Sequence, residues 1–155
     1  MDTPVVFNEK IIALQIQAND STEVIRQLGA LLQAEGYVKN TFIESAIERE
    51  KVFATGLPLG KVNVALPHTD AEHVLHPAIA LGSLREPVEF HVMGSPDDLI
   101  QVQLVFLMAI QQDQVKMLQV LCDTFKDSSF LDDLLGARSK QEAITILNAR
   151  FHKQE

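Results

Sequence analysis

The chain has 155 residues, a length that suits one domain and buries roughly 70 % of the surface its unfolded chain would expose. Hydrophobic residues make up 46 % and charged residues 22 %, the balance of a globular rather than a disordered chain. Thirteen Lys and Arg against 21 Asp and Glu give a net charge of −8, which argues against a nucleic-acid or anionic-membrane surface, and the single cysteine excludes a disulfide scaffold.

Met1-Asp2-Thr3-Pro4 places no basic segment ahead of an apolar run, so no signal peptide is expected. Ile11-Ile12-Ala13-Leu14-Gln15-Ile16 predicts a first strand. Asp20-Ser21-Thr22-Glu23 has the pattern of a capping box, with Val24, Ile25, Leu28, Leu31 and Leu32 inward and Gly36 as the stop. A second helix is expected from Thr41, with Glu44 three residues on. It carries Ile43, Ala46 and Ile47 and ends in Glu48-Arg49-Glu50-Lys51, a charge run of the solvated kind. Thr55-Gly56-Leu57-Pro58-Leu59-Gly60 is turn chemistry.

Val62 to Leu66 alternates as a strand does and runs into Pro67-His68. Pro67 fixes its own φ, so the backbone delivers His68 in a nearly constant pose at the sheet edge. Ala78 to Leu84 is a buried strand and Val88-Glu89-Phe90 a short one, followed by a loop at Gly94-Ser95-Pro96-Asp97-Asp98. Val102 to Ile110 is the candidate central strand, apolar on both faces and too short to span a bilayer. Next comes a helix capped by Asp113 with Val115, Leu118, Leu121, Cys122 and Phe125 inward, Cys122 being a buried structural thiol. Two more follow: Phe130 to Leu135, stopped by Gly136, and one opened by the box Ser139…Glu142 and running to Phe151. The order predicts a single α/β domain over 1–155, with a mixed β-sheet flanked by helices on both sides.

His68, His73 and His76 lie close together, with Asp70 and Glu72 among them. Their spacings match no standard zinc ligand set, and Pro77 pushes His76 toward extended backbone, so no metal is assigned. A metal-dependent hydrolase built on His68, Asp70 and His73 stays as a rival. No G-x-S-x-G elbow, Walker loop or G-x-G-x-x-G is present, which removes support for a serine nucleophile or a nucleotide site. What is left is His68 as a nucleophile toward phosphorus, which needs donors for the phosphoryl oxygens. Arg49, Thr69 and the helix N-terminus at Asp113–Gln114 are the candidates.

Glu48-Arg49-Glu50, Thr55-Gly56 and Val64-Ala65-Leu66-Pro67-His68, in that order, resemble the enzyme IIA domain of the fructose–mannitol–nitrogen superfamily, a component of the bacterial phosphoenolpyruvate-dependent sugar phosphotransferase system. Leu104 to Ala109 and the helix from Gln114 extend the likeness over nearly the whole chain. The resemblance implies that His68 takes a phosphoryl group from the phosphocarrier protein HPr on Nε2. Its Nδ1 would be left to a backbone acceptor, and the group would pass to a cysteine on a IIB partner that feeds a IIC transporter. Arg49 would hold phosphoryl oxygens. Gln114 stands where many members have a second histidine, and with Val115-Lys116-Met117-Leu118 it looks most like the galactitol-type branch. A glutamine amide donates a hydrogen bond there but cannot titrate. His73 also resembles a position of that branch, and Thr69 is a better phosphate donor than Asp70. The implied protein is cytoplasmic and needs no cofactor, nucleic acid or membrane insertion; a regulatory, nitrogen-type IIA is the alternative.

Overall fold

The computed structural model describes residues 7–111 and 115–151. A 3-10 turn at Glu9–Ile11 leads into β1 (Ile12–Ile16), followed by α1 (Ser21–Ala34), α2 (Phe42–Val52), β2 (Gly56–Leu57) and β3 (Val64–Ala65). A second 3-10 turn, Ala71–His73, precedes β4 (Ala78–Val92) and β5 (Ser95–Ala109), and the chain closes with α3 (Val115–Thr124), α4 (Ser128–Leu135) and α5 (Lys140–Phe151).

The local signals act where their chemistry places them. Asp20 caps α1 by accepting from the Glu23 N–H, and the Glu23 carboxylate accepts from the Asn19 N–H in return. Gly36, at φ +80°, closes the same helix: its N–H reaches the Gln33 carbonyl and that of Tyr37 reaches Leu32, the double bond of a left-handed C-terminal cap. The Ser139 hydroxyl caps α5 by accepting from Glu142. Thr41 precedes α2 but makes no side-chain cap; its hydroxyl bonds His73 instead. The expected Asp113 cap and Gln114 lie outside the described residues.

The sheet differs from expectation in two respects, the first being that β2 lies inside the stretch 55–60 expected to be a turn. The expected break between two short strands and the expected loop at 94–98 are both absorbed into a long antiparallel hairpin, β4–β5, turning on Met93 and Gly94, the latter at φ +80°. Pro87 cannot donate to a ladder, and a register shift between Ser83 and Val88 accommodates it without ending the strand. Residues 95–98 are polar because this end of the hairpin is exposed, which imitates loop composition. β1 runs parallel to β4, β3 parallel to β5, and β2 antiparallel to β3 while touching Val92 of β4.

Period-two alternation splits β5 between two cores. Val105, Leu107 and Ala109 face α1 and α2, packing with Val24, Ile25, Leu28, Phe42, Ala46 and Ile47. Leu104, Phe106 and Met108 face the C-terminal helices with Leu121, Phe125, Phe130, Leu134 and Leu147. Both faces of the strand are thus covered, which explains a run with no polar alternation. Gly82 lets α1 approach the sheet: a Cβ there would sit 2.8 Å from Ile16 Cδ1 and 3.0 Å from Leu28 Cδ1. Cys122 is half-buried rather than buried, and burial pushes its thiol pKa up, away from nucleophilic use.

Candidate functional site

Two registers bring the site together. Antiparallel pairing of Gly56 with Ala65 and of Leu57 with Val64 places Thr55 opposite Leu66. The parallel offset that pairs Val64 with Leu104 carries on past Pro67, where His68 bridges Met108. The Pro67 carbonyl accepts from the Met108 N–H at 2.9 Å, so the proline that cannot donate still anchors the chain.

His68 is half-buried at the end of this run. Its Nδ1 lies 2.9 Å from the Leu66 carbonyl oxygen. A carbonyl only accepts, so Nδ1 carries the proton and Nε2 keeps its lone pair. Among the described residues no hydrogen bond engages Nε2. Burial is the largest influence on the ring and lowers its pKa; Arg49 pushes the same way, while the Leu66 bond and Asp70 oppose. The imidazole is therefore held neutral, the form in which it is a nucleophile.

Beneath it lies a chain of groups that sequence reasoning missed. Glu50, placed in the solvated charge run, is instead 8 % exposed. Its carboxyl accepts from the Thr55 N–H and from the Thr55 hydroxyl, both at 2.9 Å. The Thr55 hydroxyl accepts in turn from the Leu66 N–H at 3.0 Å. Burial pushes the Glu50 carboxyl up to about 7, against the two Thr55 bonds and the charge of His91. The signal was weak: only the step from Arg49 to Glu50, a rotation of one helical position, separates an outward from an inward side chain.

Arg49 sits at the outer side. Its Nη1 is 3.5 Å from Asp70 Oδ1, and its guanidinium lies 5.0 Å from the centroid of the Phe53 ring. Its Nε is buried without a hydrogen-bond partner among the described residues. Asp70 turns to Arg49 and not to the imidazole, whose orientation comes from Leu66.

The other expected residues lie differently. The Thr69 hydroxyl, expected to donate to phosphate, is buried and hydrogen-bonded to the Ser45 hydroxyl of α2. His73 bonds the Thr41 hydroxyl through Nδ1 at 2.7 Å, and its Nε2 lies 3.6 Å from Glu72. Among the described residues no hydrogen bond joins His73 to His68, and no group of three or more His, Cys, Asp or Glu is arranged to hold a metal. The hydrolase trio of His68, Asp70 and His73 does not converge. No helix among the described residues is long and apolar enough to cross a membrane.

A mixed sheet covered on both faces, with a neutral histidine held by a backbone carbonyl and an arginine at its side, describes a small α/β domain suited to anion chemistry on nitrogen. The family described as "Phosphoenolpyruvate-dependent sugar phosphotransferase system, EIIA 2" matches residues 5–150, and the chain belongs to it. The galactitol-specific EIIA component of Escherichia coli (strain K12) is 31% identical over 119 residues, covering 75% of this chain and 78% of that protein. The transcriptional regulator ManR of Bacillus subtilis (strain 168) is 32% identical over 123 residues, which is 79% of this chain but only 17% of that protein. In fold, the chain matches the solved complex of enzyme IIAMTL and phosphorylated enzyme IIBMTL from Escherichia coli with a TM-score of 0.79, at 24% identity, covering 95% of this chain and 100% of that one.

Proposed function

We propose that His68 carries a phosphoryl group between protein partners. The observation that supports this best is the Nδ1 bond to the Leu66 carbonyl, which leaves Nε2 as the nucleophilic nitrogen. The Nε2 lone pair attacks phosphorus on the donor; a P–N bond forms, and the leaving group keeps the electron pair of the bond that breaks. Nδ1 keeps its proton on Leu66 throughout. Arg49 steadies the phosphoryl oxygens, exchanging a single long contact to Asp70 for a charged ligand of the same sign as Asp70. Gln114 adds an amide donor in this reading.

The donor is HPr and the acceptor a cysteine on a IIB protein, so that the domain, taken as 1–155, works in the cytoplasm in sugar uptake of the galactitol type. The galactitol-specific relative and the amide at Gln114 support that branch. Val52 and Phe53, 68 % and 59 % exposed next to Arg49, offer apolar surface for a protein partner. A second reading has its own support. The transcriptional regulator ManR carries a stretch similar to this chain, which supports a domain whose phosphorylation reports metabolic state.

His68→Ala tests the proposal. Labelling by radioactive phosphoenolpyruvate with enzyme I and HPr should be abolished while the circular dichroism spectrum is unchanged. Retained labelling would sink the assignment of His68. Onward transfer from the labelled wild type to a IIB protein separates transport from regulation.

A further inference from the structure

The Leu66 carbonyl that holds Nδ1 is itself held. Two bonds fix the backbone on either side of it. Leu66 N–H donates to the Thr55 hydroxyl at 3.0 Å, and the Pro67 carbonyl accepts from Met108 at 2.9 Å. The Thr55 hydroxyl can serve Leu66 as an acceptor because its own proton is committed to Glu50 Oε1, 2.9 Å away. Glu50 is fixed by the second bond, from the Thr55 N–H to Oε2. The donors that Thr55, Leu66 and His68 bring to this chain therefore each have one acceptor, and the whole chain is shielded: Glu50, Thr55 and Leu66 are 8 %, 4 % and 1 % exposed.

We propose that Glu50 and Thr55 are positioning residues for phosphoryl transfer: through Leu66 they hold His68 with its proton on Nδ1 and its lone pair on Nε2. They touch neither the reacting nitrogen nor the phosphoryl group. The inference rests on the reading of His68 as the phosphoryl acceptor. An imidazole without such a partner divides its single proton between two nitrogens and rotates about χ2, and each lapse removes the nucleophile from the line of attack. A carbonyl that is itself restrained removes both freedoms, in the way that outer partners fix a metal-bound histidine. A carboxyl suits the far end because two oxygens accept two Thr55 donors at once. A polar chain of this kind also has to be complete, since each buried donor or acceptor left over is costly.

The test combines rate with tautomer. Thr55→Val removes the hydroxyl at nearly constant volume, and Thr55→Ser keeps it. Phosphoryl uptake from phosphorylated HPr is followed by rapid quench, and nitrogen NMR of the imidazole reads the tautomer of His68. Thr55→Val should slow uptake by about tenfold or more and shift the ring toward a mixture of tautomers, and Thr55→Ser should restore both. Should Thr55→Val fail to fold, Glu50→Gln carries the test. Its amide keeps the shape but turns a donor toward the Thr55 hydroxyl, which weakens the bond to Leu66 and should give the same two changes in smaller measure. A wild type that accepts no label overturns the phosphoryl-carrier reading and this inference with it. A labelled wild type beside folded variants with unchanged rate and tautomer overturns this inference alone, as would a rate loss that Thr55→Ser does not repair.

Discussion

His68 has two sides that are built differently. Underneath, Glu50, Thr55 and Leu66 are buried and joined by bonds of 2.9–3.0 Å that end on the His68 ring. On the outer side, Arg49 meets Asp70 in one contact of 3.5 Å between side chains 35 % and 72 % exposed. The inner side costs free energy to disturb; the outer contact is a half-solvated pair worth little to stability. The difference separates two tasks. Aim is set by groups that cannot exchange partners, and charge is presented by a group that can.

The largest effect should come from breaking the outer side at its cation. Arg49→Ala is expected to lower the rate of phosphoryl uptake by about 10²–10³, the loss typical of one preorganised donor to developing charge. Arg49→Lys should recover only part of this, because an ammonium lacks the planar fork and the stacking on Phe53. Stability should barely change in either variant. Quench-flow kinetics with phosphorylated HPr would check this, and a variant as fast as wild type would remove Arg49 from the chemistry.

The two sides were unequally legible in the sequence. Helix caps, the two-faced central strand and the strand–proline–histidine run all follow from local chemistry, and the structure holds them at Asp20, Gly36, Ser139 and β5. Arg49 and His68 carried chemical types that single themselves out. Glu50 did not, since whether a charged residue at a helix end points inward depends on what the rest of the fold sets against it. Here that partner is Thr55, delivered by the β2–β3 register five residues later. Thr69 is the converse case: its position next to the nucleophile suggested a phosphate donor, while in the fold its hydroxyl is paired with that of Ser45. The hairpin was hidden because exposed strand and loop share composition, and only pairing tells them apart.

The inner side can be sharpened through pH. Burial raises Glu50 from 4.5 to about 7, so between those values the folded state binds a proton that the unfolded state releases. Its contribution to stability is fully present below 4.5 and is lost as pH rises through about 7, a swing on the order of 3 kcal/mol. His91, which lines the same cleft as this carboxyl, lowers its pKa through charge. The lowered pKa of His68 acts in the opposite sense: its contribution is present above its ordinary value of 6.5 and is lost as pH falls. Glu50→Gln removes the first effect and keeps the second. Denaturant melts from about pH 5 to about pH 8 should therefore show wild type losing ground to Glu50→Gln as pH rises. Parallel curves would mean that the carboxyl ionises as freely in the fold as outside it.

The smallest effect is expected at Asp70, where the outer side is loosest. An ion pair this exposed contributes about 0–1 kcal/mol, so Asp70→Asn should melt within about 0.5 kcal/mol of wild type. Its kinetic and titration signatures are more telling than its stability. Asp70 raises the pKa of His68, and removing its charge should move the imidazole titration in an NMR experiment further down, favouring the neutral ring. Asp70 also competes with a phosphoryl group for Arg49, so uptake should be at least as fast as in wild type. Slow uptake with a displaced His68 tautomer would show that Asp70 orients the ring after all. In that case the exchangeable outer side and the fixed inner side would be one structure, and the separation of aim from charge would fail.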